Sequence, residues 1–319
     1  MKALVTGSGG FLGRHVVHAL LGHGHAVRAV LRPASGDPPP EWKGRAEIVR
    51  ADLRAPASEE LFDGVDVLVH LAATMSGSAE AAFAGTVVST EKLCETMLRT
   101  GSTRRVVLAS SFSVYDWTAP KRALTEETPI EPKPYDRDGY AVMKIWQERV
   151  VRRLAAEQGW TLTVLRPGFI YGPAWPEVGG AGISLKKLFL VVSPFSSLPL
   201  THVENCAQAF AVAAEKGLAG TFNIIDDESI TAWRYAGKFL SHSGAIRIPV
   251  PYWLGLGVAY SAQCVSRILF PPSGGKLPAF LVPQRYRARF RPLEFPNRRA
   301  KETLGWSSKP FFDSARALT

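Results

Sequence analysis

Cysteine is scarce. Cys94, Cys206 and Cys264 are the only three in 319 residues, odd in number and far apart. They form neither a metal-binding spacing nor a disulfide framework, so a reducing compartment is the simple expectation. Acidic residues are in the minority, 28 against 38 Lys and Arg, which leaves a net charge of +10. That surplus suits nucleic acid, an anionic membrane surface or a phosphorylated ligand, and equally a plain solvated surface, so it selects no partner by itself. No basic–aromatic module of known type accompanies it, which argues against nucleic acid. No secretory leader is expected, because Met1 and Lys2 run directly into the strand-like Ala3-Leu4-Val5, and a cytoplasmic location follows as an expectation. Internal repeats and low-complexity tracts are also missing. What is present is 46% hydrophobic and 21% charged residues, the balance of a globular chain with a sizeable core.

The first 165 residues alternate short apolar runs with helical stretches. Strands are expected at Lys2–Thr6, Ala26–Leu31, Glu47–Ala51, Asp66–Leu71, Arg105–Ser110 and Thr161–Leu165, and helices at Leu12–Gly22, Thr86–Arg99 and Tyr140–Glu157. Several strands are unbroken Val/Leu/Ile runs, the pattern of strands buried on both faces. Strand–helix repetition of this kind predicts an α/β fold with a doubly wound parallel Rossmann sheet. After Arg166, Pro, Gly and aromatic residues crowd 168–176, and Gly179-Gly180-Ala181-Gly182 follows, as in loops that carry specificity. A helix at Val203–Lys216 and a strand at Thr221–Ile225 are expected to return the chain to the main sheet. The expected division is a Rossmann lobe of residues 1–165 plus about 201–225, and a smaller mixed substrate lobe of 166–200 plus 226–319.

Thr6-Gly7-Ser8-Gly9-Gly10-Phe11-Leu12-Gly13 stands between the first strand and the first helix. Gly7 supplies unusual dihedrals, Gly10 lets a pyrophosphate approach the backbone, and Gly13 lets the helix pack on the strand. The helix N-terminus then faces the phosphates. In this strand–turn–helix setting the glycines indicate a dinucleotide. An acidic residue after the second strand would favour NAD. Here that strand ends in Arg32, a forked cation suited to a 2′-phosphate, so NADP(H) is expected over NAD(H). Asp52 and Leu53, closing the third strand, are placed to contact the adenine.

Tyr140 and Lys144 are four residues apart on a predicted helix and share one face. A nearby cation favours the phenolate and makes Tyr140 a usable acid and base. Leu108-Ala109-Ser110-Ser111 ends a predicted strand, at the sheet edge where open α/β folds bind ligands, and Ser111 could donate to a carbonyl oxygen.

With these motifs assembled, the chain resembles the extended short-chain dehydrogenase/reductases over nearly its whole length. The matching segments are Thr6–Gly13, Asp52-Leu53, His70-Leu71-Ala72-Ala73, Ser110–Tyr115, the Tyr140/Lys144 pair, Leu165–Pro173, and His202-Val203-Glu204-Asn205. The resemblance implies hydride exchange at a nicotinamide, with Tyr140 transferring the proton. It implies that Lys144 lowers the Tyr140 pKa and holds the nicotinamide ribose, and that Ser111 positions the carbonyl oxygen. It places Leu71, Ala72, Ala73, Ser110, Pro167 and Gly168 along the cofactor, and Ser113, Phe169 and His202 beside a small-molecule substrate. A homodimer through the helix carrying Tyr140 is implied by the same analogy. Relatives that only sense the dinucleotide typically lose Tyr or Lys of the pair. Both are kept here, which favours an enzyme.

Two substrate branches compete. Nucleotide-sugar epimerases, dehydratases and reductases commonly carry Asn where this chain has Phe169, and Arg where it has Leu198; Lys186 and Lys187 could compensate. An apolar replacement leaves phosphate charge unmet, which favours the other branch, that of dihydroflavonol reductases and 3β-hydroxysteroid dehydrogenases acting on smaller or lipophilic carbonyls and alcohols. The apolar stretch Tyr252–Phe270, broken by Gln263 and Arg267, is too polar and glycine-rich to span a membrane. It reads as a helix covering the substrate pocket, with membrane-surface docking as the alternative. Arg285-Tyr286-Arg287-Ala288-Arg289-Phe290-Arg291 alternates, and on a strand its four arginines would share one face. That face is either solvated or a site for anionic lipid or a phosphorylated carrier. His15, His18, His23 and His25 lie near the first helix with no Asp, Glu or Cys evident beside them, so no metal site is expected.

Overall fold

Runs of Val, Leu and Ala too short for helices become the strands of one sheet. The computed structural model describes residues 1–74, 78–173, 178–241, 243–269 and 277–314. Residues 174–176 of the expected specificity loop and Phe270 of the expected apolar helix lie outside them. The elements run β1 (Lys2–Thr6), α1 (Phe11–Gly22), β2 (Ala26–Leu31), β3 (Ala46–Arg50), β4 (Val67–His70), α2 (Ala79–Phe83), α3 (Ser89–Thr100), β5 (Arg105–Ala109), α4 (Gly139–Gln158) and β6 (Thr161–Pro167). The chain continues through β7 (Phe169–Tyr171), β8 (Ile183–Leu185), β9 (Leu188–Val192), β10 (Leu200–His202), α5 (Val203–Lys216), β11 (Gly220–Ile224), α6 (Ala232–Phe239), β12 (Ile246–Val250), α7 (Tyr252–Leu269) and α8 (Pro283–Phe290).

The main sheet is parallel in the order β11-β6-β5-β4-β1-β2-β3. Its direction of winding reverses between β1 and β4, which opens a crevice at their carboxyl ends. Both faces are covered, as the unbroken apolar runs require. Ala3, Val5, Val67 and Val69 pack with α1 and α5 through Val16, Leu20, Phe210 and Ala214. Leu4, Leu68, Val106 and Leu108 pack on the other face with Leu93, Met97, Val151 and Leu154. Each buried Leu or Val contributes roughly 1.5–3 kcal/mol. The six expected strands and the Val203–Lys216 helix are found within one or two residues, and β11 rejoins the sheet beside β6.

The smaller sheets were not evident in the sequence. β10 pairs with β7, and β12-β9-β8 forms a mixed ribbon. The largest correction concerns Arg285–Arg291, expected as a strand. Pro283 opens a helix there, and Tyr286 and Phe290, four apart, bury one side of it. Alternation of period two put both aromatics on one face and so did the helix, which is why the pattern misled. The arginines consequently diverge: Arg287 donates to the Tyr260 hydroxyl at 2.7 Å, Arg289 binds the Gly179 carbonyl, and Arg291 holds the carbonyls of Trp117 and Pro120. A single cationic face for anionic lipid is therefore not built. Among the described residues no helix is long and apolar enough to cross a membrane.

Gly168 follows β6, and a Cβ there would lie 2.1 Å from the Pro199 carbonyl oxygen and 2.6 Å from Ile225 Cδ1. Replacing it with alanine is expected to lower stability by about 1–3 kcal/mol, measured by urea denaturation; an unchanged midpoint would show that the β6–β7 junction can relax.

Candidate functional site

The glycine turn has the three roles its spacing suggests. Gly7 has φ +69°, and a Cβ on it would lie 2.8 Å from the Ala72 nitrogen. At Gly13 a Cβ would reach the Gly7 carbonyl oxygen at 2.1 Å, so α1 can start this close to β1 only with glycine. At Gly10 the nearest atom would be the Gly7 oxygen at 3.2 Å, which leaves that side of the backbone approachable. Phe11 and Leu12 open α1, Leu12 against the core and Phe11 against Gly172. The donor set therefore fits a dinucleotide pyrophosphate.

Arg32 stands exposed just past β2, on a loop held by Arg50, which donates to the carbonyls of Ser35 at 2.7 Å and Gly36 at 3.2 Å. Nearby, Asp52 is clamped by Arg54 at 2.7 Å, and that bonding, helped by the Arg32 charge, pulls its carboxyl down to about 2. Leu53 packs partly against the core. Leu71, Ala72 and Ala73 leave β4 half-buried beside the glycine turn.

Asp138 caps α4 by accepting from the Ala141 nitrogen at 2.9 Å, which sets Tyr140 in the first turn and Lys144 one turn on. Ser111 leaves β5 extended and accepts from the Ser113 nitrogen at 3.1 Å. The Ser111 hydroxyl is the neighbour that most favours the Tyr140 phenolate. Tyr140 keeps some solvent exposure, yet burial of the phenol raises its pKa above the ordinary value; the Ser111 hydroxyl opposes that rise and the Asp138 charge adds to it. The expected lowering by Lys144 is not found. The Lys144 ammonium is committed elsewhere, to the Ala109 carbonyl at 2.5 Å and to the Gln147 side-chain oxygen. Burial pulls Lys144 itself down to about 8, with Glu148 opposing. Ser113 Oγ is buried without a hydrogen-bond partner, as suits a hydroxyl awaiting a ligand.

Four groups that sequence reasoning passed over hold this set in place. Gln147 spreads its amide over the Ala72 carbonyl at 3.0 Å, Thr90 at 2.9 Å and His70 at 3.2 Å, and His70 bonds Thr6 at 2.7 Å. Burial keeps His70 neutral, its pKa near 3. Glu148, wholly buried, accepts from Ser110 and twice from Arg166, whose guanidinium lies 4.5 Å above the Tyr115 ring. Burial pushes the Glu148 carboxyl up, but the Arg166 bonds and charge outweigh it and hold it below its usual value. The available signal was the spacing Lys144, Gln147, Glu148, three polar residues on the buried side of one helix.

Phe169 lies against Gly180, while Leu198 is buried in the cluster with Tyr171, Val191 and Tyr235. Lys186 and Lys187 are exposed at the β8–β9 turn. His202, expected beside a substrate, is fully buried: it caps α5, stacks on Phe311 at 4.1 Å, and its backbone donates to Asp226 at 2.8 Å. Asp226 itself is pushed by burial up to about 7. A narrow cavity is lined by Trp117, Leu198 and Phe295 together with Ser193, Ser196, Arg289 and Arg291. α7 does not line it. Its inner side packs on Tyr286 and Phe290, and its outer side carries an open groove of about 740 Å³ lined by Trp253, Leu254, Val258, Val265 and Leu269. One further correction stands at the far end of the sheet, where Glu215 joins His23 and His25.

Glu148→Gln would leave the Arg166 guanidinium buried without its counter-charge, so a loss of roughly 3–5 kcal/mol is expected in urea denaturation. A loss under about 1 kcal/mol would mean that water already screens the pair.

Comparison with known proteins supplies the family. The NAD dependent epimerase/dehydratase family model matches residues 3–224. A sterol-4-alpha-carboxylate 3-dehydrogenase (decarboxylating) of Bos taurus is 28% identical over 274 residues, 79% of this chain and 73% of that protein. A 4-hydroxy-2-methyl-3-oxo-4-farnesyl-3,4-dihydroquinoline-1-oxide ketoreductase of Stigmatella aurantiaca is 28% identical over 280 residues, 85% of this chain and 82% of that protein. Among solved structures, MoeE5 in complex with UDP-glucuronic acid and NAD has a TM-score of 0.67 at 22% identity, covering 97% of this chain and 94% of that one. The family match takes in the glycine turn, the Ser110–Tyr115 segment and the Tyr140/Lys144 pair, and so this chain is an enzyme of the NAD dependent epimerase/dehydratase family, the extended short-chain dehydrogenase/reductases.

Proposed function

We propose that the protein is an NADPH-dependent reductase of a ketone on a large apolar molecule, or in reverse a dehydrogenase of the corresponding secondary alcohol. The observation that carries this reading is that α4, capped by Asp138, sets Tyr140 one helical turn from Lys144, whose ammonium is bonded to the Ala109 carbonyl at the end of β5 beside Ser111. These groups stand at the same sheet edge as the glycine turn. In this reading Gly7, Gly10, Phe11, Leu12 and Gly13 hold the pyrophosphate, and Asp52, Leu53, Leu71, Ala72 and Ala73 flank the adenosine half. Ser110, Pro167 and Gly168 back the nicotinamide half. Arg32 takes a 2′-phosphate, and the absence of an acidic residue where β2 ends supports NADP(H) over NAD(H).

When bound, a nicotinamide dinucleotide would supply the hydride that the carbonyl carbon accepts. Ser111 donates a hydrogen bond to the carbonyl oxygen. Tyr140, whose burial keeps the phenol in its protonated form, gives its proton to the forming alkoxide and is left as phenolate until solvent restores it. Lys144 has three N–H donors; Ala109 and Gln147 take two, and the third serves a ribose hydroxyl. Ser113 and Phe169 face the substrate, and His202 is dropped from that set.

Phe169 and the buried Leu198 support an apolar substrate. The names of the two curated relatives point the same way, to a sterol and to a farnesylated ring. The neighbour bound to UDP-glucuronic acid shares the fold alone.

The test is NADPH oxidation with a panel of apolar ketones and with UDP-sugars. Tyr140→Phe is expected to lower turnover by about 10²–10⁴-fold with NADPH affinity little changed. Arg32→Ala is expected to weaken NADPH binding roughly tenfold or more and leave NADH unaffected. Full turnover in Tyr140→Phe would remove the mechanism, and NADH preference with UDP-sugar turnover would replace the substrate class.

A further inference from the structure

The end of the sheet opposite the catalytic groups carries a cluster with no part in that chemistry. His23 ends α1, His25 immediately precedes β2, and Gly24 between them has φ +79°. That left-handed turn, which only glycine takes without strain, presents both imidazoles to the same neighbour. The neighbour is Glu215 in the last turn of α5, the helix that packs against α1. His23 Nδ1 lies 2.7 Å and His25 Nε2 2.8 Å from the same carboxylate oxygen of Glu215, and the ligand atoms of all three lie within 4.8 Å of one another. No other such group of three occurs among the described residues.

The proton positions make the cluster informative. His23 Nε2 is 2.8 Å from the Gln208 side-chain oxygen. That oxygen only accepts, so Nε2 carries the hydrogen. In the neutral ring Nδ1 then points a lone pair at a carboxylate oxygen, and two lone pairs at hydrogen-bonding distance repel. Something positive belongs between them, either a proton or a metal ion. Gln208 meanwhile does what an outer partner of a metal-bound histidine does: it fixes the tautomer and the ring orientation.

We propose that His23, His25 and Glu215 form a binding site for a divalent transition-metal ion. Two imidazoles and one carboxylate are a borderline-soft set that suits Zn²⁺ and disfavours Mg²⁺, which prefers oxygen. Bonds of about 2.1 Å put tetrahedral ligands about 3.4 Å apart, so the two contacts of 2.7 and 2.8 Å open by roughly 0.6–0.7 Å when the ion enters. The three side chains are partly exposed, at 30%, 17% and 34%, which leaves the fourth position to water. Bound there, the ion ties the α1–β2 turn to α5 and stabilises the fold while standing apart from Tyr140 and Lys144.

The test uses tag-free, chelator-treated full-length protein titrated with ZnCl₂ by calorimetry and followed by thermal unfolding. One ion per chain is expected, with an unfolding midpoint raised by several degrees, and no change with Mg²⁺. Glu215→Gln and His25→Ala should each weaken zinc binding roughly tenfold or more, and Gln208→Leu should weaken it in the same direction. His18→Ala, on the exposed side of α1, serves as the control and should leave binding intact. No saturable zinc binding, or binding that survives both Glu215→Gln and His25→Ala, would overturn the site and leave a proton-bridged ion pair.

Discussion

A lysine ammonium with 3% of its residue surface exposed sets the terms for the groups around it. A charge out of water must be met by hydrogen bonds, and Lys144 is met by the Ala109 carbonyl at the end of β5 and by Gln147 on its own helix. Gln147 then binds the Ala72 carbonyl, Thr90 and His70, and His70 reaches Thr6 at the mouth of the glycine turn. One continuous network thus fixes α4 against β5, β4 and β1. The glycine turn and the helix that carries Tyr140 are thereby tied to the same cation.

A second buried charge, one turn further along α4, does the same. Glu148 ties Ser110 to Arg166, and the Arg166 guanidinium lies on Tyr115, whose hydroxyl donates to Asn223 at 2.6 Å in β11. Strands β5, β6 and β11 are locked to the helix through a charge pair that must stay whole, because either partner alone would be a bare charge in the core. Catalytic groups placed by such networks are held by more than loop conformation, which is what preorganised chemistry requires.

Much of this was legible in advance, for definite reasons. Strands buried on both faces are unbroken apolar runs, so β1, β2, β5 and β6 stand out, and a glycine turn between strand and helix can be read from its spacing. The pair Tyr140 and Lys144 is legible because a helix has fixed periodicity. Pairings over long sequence separation are not legible in that way. Nothing adjacent to His23 announces Glu215, and nothing in Glu148 announces Arg166, although three polar residues on a buried helix face were a usable sign. The arginine alternation misled because Tyr286 and Phe290 share a face in either a strand or a helix. His202 looked accessible as a motif and is buried because capping α5 places it under Phe311.

The influence of Ser111 on the Tyr140 phenol, on which the proposed proton transfer rests, can be measured directly by following the Tyr140 phenol with tyrosine-labelled carbon NMR across alkaline pH, in wild type and in Ser111→Ala, using Tyr140→Phe to assign the signal. The account predicts that Tyr140 titrates above the ordinary tyrosine value and moves higher still in Ser111→Ala, because burial raises it and the serine hydroxyl opposes that rise. A phenol that titrates at or below the ordinary value, or one indifferent to the loss of Ser111, would contradict it.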